Sequence, residues 1–173
     1  MSALPDLLAA NARYAAVFTK GELPSAPARR VAVLTCMDAR LDPERFLGLQ
    51  EGDAHVIRNA GGRASGDAIR SLIISHLLGG TREFVVIHHT DCGLLAVTNQ
   101  QLRDRLRRDL GADAAELDFL PFTDLEESVR ADVETIRSSP FIPRDLPVSG
   151  LVYDVRTGRL HQVVPAAAGP AAG

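Results

Sequence analysis

A chain of 173 residues suits one domain with a sizeable core. Its 46% hydrophobic and 24% charged residues are ordinary for a globular protein and argue against disorder. The formal net charge of -3 gives no electrostatic reason to expect a nucleic acid or an anionic membrane as a partner.

The first half of the chain predicts one helix, three strands and a second helix. Apolar residues at helical spacing indicate an amphipathic helix within the first 20 residues. Short apolar runs rich in β-branched residues predict three strands, at 31–35, 54–59 and 83–89. Their continuous apolar character is typical of parallel strands covered on both faces. Between the last two runs a helix is expected to begin at the N-cap Ser65 and to end at Gly79-Gly80.

The second half predicts two more helices and a hairpin. One helix follows Cys92 and runs to about Leu110, and an amphipathic helix covers 124–139. A hairpin is expected to turn at Thr157-Gly158. We therefore expect an α/β fold, with a mainly parallel central sheet flanked by helices.

The domain boundaries follow from composition. Residues 1–165 contain all of the predicted elements and no convincing linker, so they form a single domain. The low-complexity sequence at 166–173 predicts a disordered tail.

Two polar clusters follow predicted strands. "TCMDAR" (35–40) comes after the first strand and "HHTDCG" (88–93) ends the third. Because the carboxyl ends of parallel strands meet at one edge of a sheet, the two clusters are expected to reach a single ion. Cys36, His89 and Cys92 supply two thiolates and one imidazole, a ligand set known for catalytic zinc with a fourth position for water.

Other uses of the cysteines are less favoured. We expect a cytoplasmic location, because no segment approaches the roughly 20 apolar residues of a membrane span and the N-terminus lacks a secretory signal. A disulfide between Cys36 and Cys92 is uncommon in that compartment. A zinc finger or a thioredoxin-like site would need a C-x-x-C pair, which the sequence lacks.

The fourth ligand position stays open at this point. A purely structural zinc site needs a fourth ligand, and Asp38 is the obvious candidate. Arg40 follows two residues later, and a guanidinium–carboxylate pair would hold Asp38 away from the metal.

These motifs resemble those of the β-class carbonic anhydrases. "CMDAR" matches the family's C-x-D-x-R, "HTDCG" matches H-x-x-C-G, and "VIRNAGG" is similar to its R-N-A-G segment. The resemblance runs from about Val31 to the hairpin, and the short length is similar to that of the compact prokaryotic type.

The resemblance implies a reaction, a metal and an assembly. Cys36, His89 and Cys92 would bind one Zn2+ per chain, with Asp38 and Arg40 as the dyad beside it. A zinc-bound hydroxide would convert carbon dioxide reversibly to bicarbonate and a proton. In the family's open state that hydroxide bonds to Asp38, and in the closed state Asp38 leaves Arg40 and binds the metal. The family is built on homodimers, with the N-terminal helix lying over the partner, and pairing of dimers into tetramers stays open.

The chemistry supports the same account. A carboxylate held by Arg40 stays ionised and can only accept the hydroxide O–H, which orients an oxygen lone pair. Two thiolates donate more charge than imidazoles and should raise the pKa of the bound water, so activity should rise with pH.

Three alternatives remain. The same fold and metal could hydrolyse carbon disulfide or carbonyl sulfide. Asp38 could be a permanent fourth ligand in a non-catalytic zinc-binding regulatory protein. Cys36 and Cys92 could serve as a cytoplasmic dithiol sensor.

The other residues of the two motifs are expected to be supporting. His88 should point to the opposite face of the strand from His89, in packing or support. Asp91 should face away from the metal, in a loop or capping role. Gly61 and Gly62 should form tight turns beside the site, and no proton shuttle is assigned.

Overall fold

The computed structural model describes residues 2–167. The helices of this part are α1 (Leu4–Ala15), α2 (Pro43–Phe46), α3 (Gly66–Leu77), α4 (Asn99–Leu110) and α5 (Leu125–Arg137). Its strands are β1 (Val31–Cys36), β2 (Ala54–Asn59), β3 (Glu83–His89), β4 (Val148–Tyr153) and β5 (Leu160–Ala167). Short 3₁₀ turns follow β2 and β3, at Ala60–Gly62 and Gly93–Leu95.

The described strands form one sheet in the order β2-β1-β3-β4-β5. β1 lies between β2 and β3 and is parallel to both, and β3 is parallel to β4. Only β5, the second strand of the hairpin, is antiparallel. The predicted α/β fold with a mainly parallel sheet is confirmed. Since β1 and β3 are neighbours with the same direction, the residues that follow them lie at one edge.

The core lies between the sheet and two of the helices. Ala32 and Leu34 of β1 and Val86 of β3 join apolar side chains of α3 and α5 in one buried cluster. The predicted cap of α3 is present, because Ser65 Oγ accepts a hydrogen bond from the Ala68 N–H. In α5, Val129, Val133 and Ile136 are buried, as the helical period predicted, and so are Ser128 and Asp132.

α1 packs differently from α3 and α5, the two long helices that contribute to the core. It is the amphipathic helix that the sequence predicted, but no described residue of α1 is buried within the chain. Leu4, Leu7 and Leu8 are 58%, 64% and 60% exposed. The apolar face of α1 is therefore open in the isolated chain.

Two further points concern the ends and the surface. β5 runs from Leu160 to Ala167, and residues 168–173, most of the stretch predicted as a tail, lie outside the described part. Within the part that the structure describes, the helices are too short or too polar to cross a membrane.

Candidate metal centre

Three predicted ligands meet at the carboxyl edge of the sheet. Cys36 is the last residue of β1, His89 is the last residue of β3, and Cys92 follows three residues later. Their ligand atoms all lie within 4.8 Å of one another, and all three side chains are buried. The parallel pairing of β1 with β3 brings them together across more than 50 residues of sequence, as predicted.

The His89 ring is oriented as a ligand would be. Nδ1 lies 2.9 Å from the carbonyl oxygen of Thr90, which can only accept, so Nδ1 carries the proton. Nε2 is then a free lone pair, and this buried atom has no hydrogen-bond partner among the described residues. A buried nitrogen without a partner is costly unless something binds it. A metal ion held together with the two sulfurs would satisfy it.

The two thiols are hydrogen-bonded to each other, and this contact shifts their pKa values in opposite directions. A hydrogen bond from Cys92, together with nearby backbone N–H groups, lowers the pKa of the Cys36 thiol. The same contact, together with burial, raises the pKa of the Cys92 thiol. The contact therefore favours one thiolate between the two sulfurs, and a metal ion held by both would displace the remaining proton. Two sulfurs and one imidazole fit zinc, and Cys36 and Cys92 are both free.

Asp38 lies beside this cluster and is held by Arg40. Its Oδ1 accepts from Arg40 Nε at 3.0 Å and its Oδ2 accepts from Arg40 Nη2 at 2.8 Å. The Arg40 guanidinium thereby holds the pKa of the Asp38 carboxyl well below its usual range, and the pair raises the pKa of Arg40. Asp38 Oδ2 is 3.8 Å from His89 Nε2. The carboxylate borders the cluster while both of its oxygens bind the guanidinium.

Asp91 also binds Arg40. Arg40 Nη1 donates to Asp91 Oδ2 at 2.7 Å, and Arg40 Nη2 donates to the Asp91 carbonyl oxygen at 3.0 Å. Asp91 lies on the loop after β3 and outside the ligand cluster, as expected, but its contact with the guanidinium was not predicted. The reason is its backbone, which has a φ of 58° and so leaves the extended path of β3. Its residue type was the available signal, because Asp tolerates this left-handed conformation better than most residues.

The turn after β2 supports the backbone around Cys36. Gly61 and Gly62 have φ values of 79° and 69°, which confirms the predicted tight turn. A Cβ at Gly62 would lie 2.9 Å from the Cys36 backbone nitrogen. Arg58 donates to the carbonyl oxygens of Cys36 at 3.0 Å and Asp38 at 2.7 Å. The backbone from Cys36 to Asp38 is thus held in place from the β2 side of the sheet.

A buried polar network lies behind β3. His88 is fully buried, with Nδ1 2.7 Å from Ser128 Oγ and Nε2 3.0 Å from Asp132 Oδ2. Arg63 donates to both oxygens of Asp132, at 2.8 and 3.2 Å. His88 is therefore a supporting residue, as expected, and is outside the described metal-ligand cluster. Asp132 was not predicted as a functional residue, although a carboxylate within the apolar stripe of α5 was a signal for a buried partner.

Apolar side chains surround the two sulfurs. Leu41 and Phe122 are buried together with Cys36 and Cys92 in one cluster. Partly buried residues pack against it, namely Phe46, Leu94, Leu95, Leu125, Tyr153 and Val155. These surroundings restrict water near the ligands and suit a small neutral substrate.

Comparison with known proteins agrees with this geometry. The family model described as carbonic anhydrase matches residues 31–160. The β-carbonic anhydrase 1 of Mycobacterium tuberculosis is 43% identical over 167 residues, which cover 95% of this chain and 100% of that protein. The crystal structure of carbonic anhydrase from Streptococcus mutans has a TM-score of 0.91 and 51% identity, covering 94% of this chain and 98% of that one. A carbon disulfide hydrolase of an Acidianus species is 37% identical over 157 residues, covering 78% of this chain and 77% of that protein.

Fold and site together define an α/β enzyme whose Cys-His-Cys cluster is compatible with zinc. The family match extends over most of the described domain, and the two carbonic anhydrases above align over almost the whole chain. The chain belongs to the β-carbonic anhydrase family, as the resemblance of its motifs implied.

Proposed function

We propose that this chain binds one Zn2+ through Cys36, His89 and Cys92 and interconverts carbon dioxide and bicarbonate. The observation that carries the proposal is the free, buried Nε2 of His89, which faces two sulfurs beside a carboxylate held by arginine. When bound, zinc supplies a nucleophile by lowering the pKa of coordinated water to about 7, a value that comes from the three-histidine carbonic anhydrases.

The dyad has the chemistry to orient that nucleophile. Because Arg40 keeps the pKa of Asp38 low, Asp38 is ionised at neutral pH and acts only as an acceptor. A carboxylate in this position accepts an O–H and leaves an oxygen lone pair directed away from itself. Arg40 fixes the carboxylate through two parallel hydrogen bonds, so the orientation costs little reorganisation.

The pairing of Asp38 with Arg40 favours catalysis over a purely structural zinc site. A permanent fourth ligand would need its carboxylate free, whereas both Asp38 oxygens accept from the Arg40 side chain at 3.0 Å or less. This argues for an open fourth position and against a non-catalytic regulatory protein. A cytoplasmic location, which keeps Cys36 and Cys92 reduced and available for metal, completes the proposal.

Zinc analysis combined with stopped-flow carbon dioxide hydration tests the function. We expect one zinc per chain and a kcat/KM that rises from about pH 6 to about pH 9. Asp38 is ionised throughout this window, since its pKa is lowered, so the rise reports a different group, the metal-coordinated water. The Cys36→Ser variant, which lacks one thiolate, serves as the zinc-poor control.

Bound zinc without hydration even at about pH 8.5 would favour the non-catalytic alternative, and a flat pH profile of kcat/KM would contradict the roles given to Asp38 and the water.

Hydrolysis of carbon disulfide is the second candidate. It is favoured by the Acidianus relative, which is named a carbon disulfide hydrolase and is 37% identical over 157 residues. Turnover measured side by side on carbon dioxide, carbon disulfide and carbonyl sulfide decides between the two. We expect carbon dioxide to have the highest kcat/KM.

We also propose that two copies of the chain form a homodimer through α1. A helix of 12 residues is marginal in water unless its apolar face is packed. The exposed leucines of α1 and the exposed side chains of Val17 and Phe18 next to it supply such a face. A second copy covers this surface with the same residues under two-fold symmetry.

A further inference from the structure

The Arg40 side chain is held from two sides. Of its hydrogen bonds in the structure, two go to the Asp38 carboxylate and two go to Asp91, one to the carboxylate and one to the carbonyl oxygen. Resting on the proposed function, we propose that Asp91 is a positioning residue, which sets where the Asp38–Arg40 pair lies relative to the metal ligands.

The side-chain contacts of Arg40 join two different loops. Asp38 and Arg40 are two residues apart, and both follow β1, so their pairing is a local one that forms wherever this loop lies. Asp91 lies between His89 and Cys92 on the loop after β3. Its contacts with Arg40 span 51 residues of sequence. Asp91 therefore connects the dyad to the loop that carries two of the three ligands.

The backbone of Asp91 makes the double contact possible. At a φ of 58° both its carbonyl oxygen and its carboxylate reach the same guanidinium. The polypeptide adopts this uncommon conformation directly before a metal-ligand cysteine. Asp91 therefore fixes the direction of the Arg40 guanidinium and also places a negative charge next to it.

The contact contributes little to folding, and this makes the role testable. Side chains of Asp91 and Arg40 are 66% and 47% exposed. Exposed ion pairs add little to stability, so replacing Asp91 leaves the fold intact. Any loss of activity then reports the position of the dyad.

Two substitutions separate the contributions. Asp91→Gly keeps the left-handed backbone and the carbonyl acceptor but removes the carboxylate. Asp91→Asn keeps a side-chain acceptor oxygen and removes the charge. The matched control is Asp109→Asn on α4, which removes an exposed carboxylate that pairs with Arg105 and Arg108 away from the site.

The experiment uses the zinc-loaded protein and two measurements. The first is 15N NMR of the Arg40 guanidinium, assigned with Arg40→Lys, because restricted rotation and slow exchange of its N–H groups report that it is held. The second is kcat/KM for carbon dioxide hydration. In Asp91→Gly we expect faster exchange at Arg40 and a kcat/KM lowered about two- to fivefold, with unchanged zinc content and melting temperature. Asp91→Asn should restore part of both losses, and Asp109→Asn should match the wild type.

The outcomes distinguish this proposal from the proposed function. Arg40 signals or a kcat/KM in Asp91→Gly equal to those of the wild type overturn the positioning role. A wild type that binds zinc but hydrates no carbon dioxide overturns the proposed function instead, and the Arg40 exchange rates then decide alone whether Asp91 holds the guanidinium.

Discussion

At the residue scale, Asp38 combines a fixed position with a fixed protonation state. Both of its oxygens accept from Arg40, and its lowered pKa leaves no proton on the carboxyl at neutral pH. An amide of the same shape would offer N–H donors where only acceptors are useful and would lose the ion pair with Arg40. We therefore expect Asp38→Asn to lower kcat/KM for hydration about 100-fold while the chain keeps one zinc.

Stopped-flow kinetics and zinc analysis of the same samples test this expectation. Asp67→Asn is the control, because Asp67 pairs with Arg70 on the exposed side of α3. Loss of zinc in Asp38→Asn, with no loss in the control, would mean that Asp38 binds the metal in the resting protein. An unchanged kcat/KM would remove Asp38 from the reaction.

Residues at this scale differed in how well the sequence predicted them. Cys36, His89 and Cys92 were predictable, because each follows a strand and parallel strands end at one edge. The contact between Asp91 and Arg40 was not, since it depends on one left-handed backbone angle that no periodicity reveals. Asp132 was missed because its partners lie on other elements, far away in sequence.

At the scale of elements, the turn that follows β2 lies close against the backbone at the end of β1, which carries the ligand Cys36. At Gly62 an added Cβ would meet the backbone of Thr35 and Cys36 at 2.9 Å, and φ is 69°. Gly48 has nearly the same φ, 64°, but an added Cβ would have nothing within 4 Å. Alanine substitutions at the two positions therefore separate the cost of backbone strain from the cost of steric overlap.

We expect Gly62→Ala to destabilise the protein far more than Gly48→Ala does. The left-handed conformation alone costs alanine about 1 kcal/mol, which applies to both variants. The overlap at Gly62 should raise the loss to about 3 kcal/mol or more and displace Cys36, which lowers zinc affinity. Urea unfolding of the zinc-loaded variants measures the first effect, and competition with a chelator measures the second. Equal losses in the two variants would show that the turn yields to the added methyl group.

Element types were more predictable than their arrangement. The apolar runs predicted the parallel strands β1, β2 and β3, and the period of α5 predicted its buried stripe. The central place of β1 and β3 in the sheet depends on packing between distant segments, which local patterns do not encode. The buried His88–Asp132–Arg63 network depends on the same long-range packing, and it ties β3 to α5.

At the scale of the whole molecule, the main feature is the apolar face of α1, which the described part of the chain leaves exposed. Its leucines are more than half exposed, although the sequence gives this helix an apolar face. Stable dimers bury about 1,200–2,000 Å² in total, and a helix lying across a partner contributes a large part of such an area. The exposed apolar residues of α1 would provide most of the affinity of such an interface.

We expect the wild type to be a dimer and the double variant Leu7→Ser, Leu8→Ser to be largely monomeric. Light scattering over a range of concentrations measures this, and the dimer should have about twice the chain mass of 18.6 kDa. The control is the double variant Leu110→Ser, Leu117→Ser, which removes two leucines that are 73% and 51% exposed outside α1. A melting temperature that rises with concentration in the wild type and the control, but not in the α1 variant, links assembly to stability. A monomeric wild type, or an α1 variant that dimerises as well as the control, would show that α1 is not the interface.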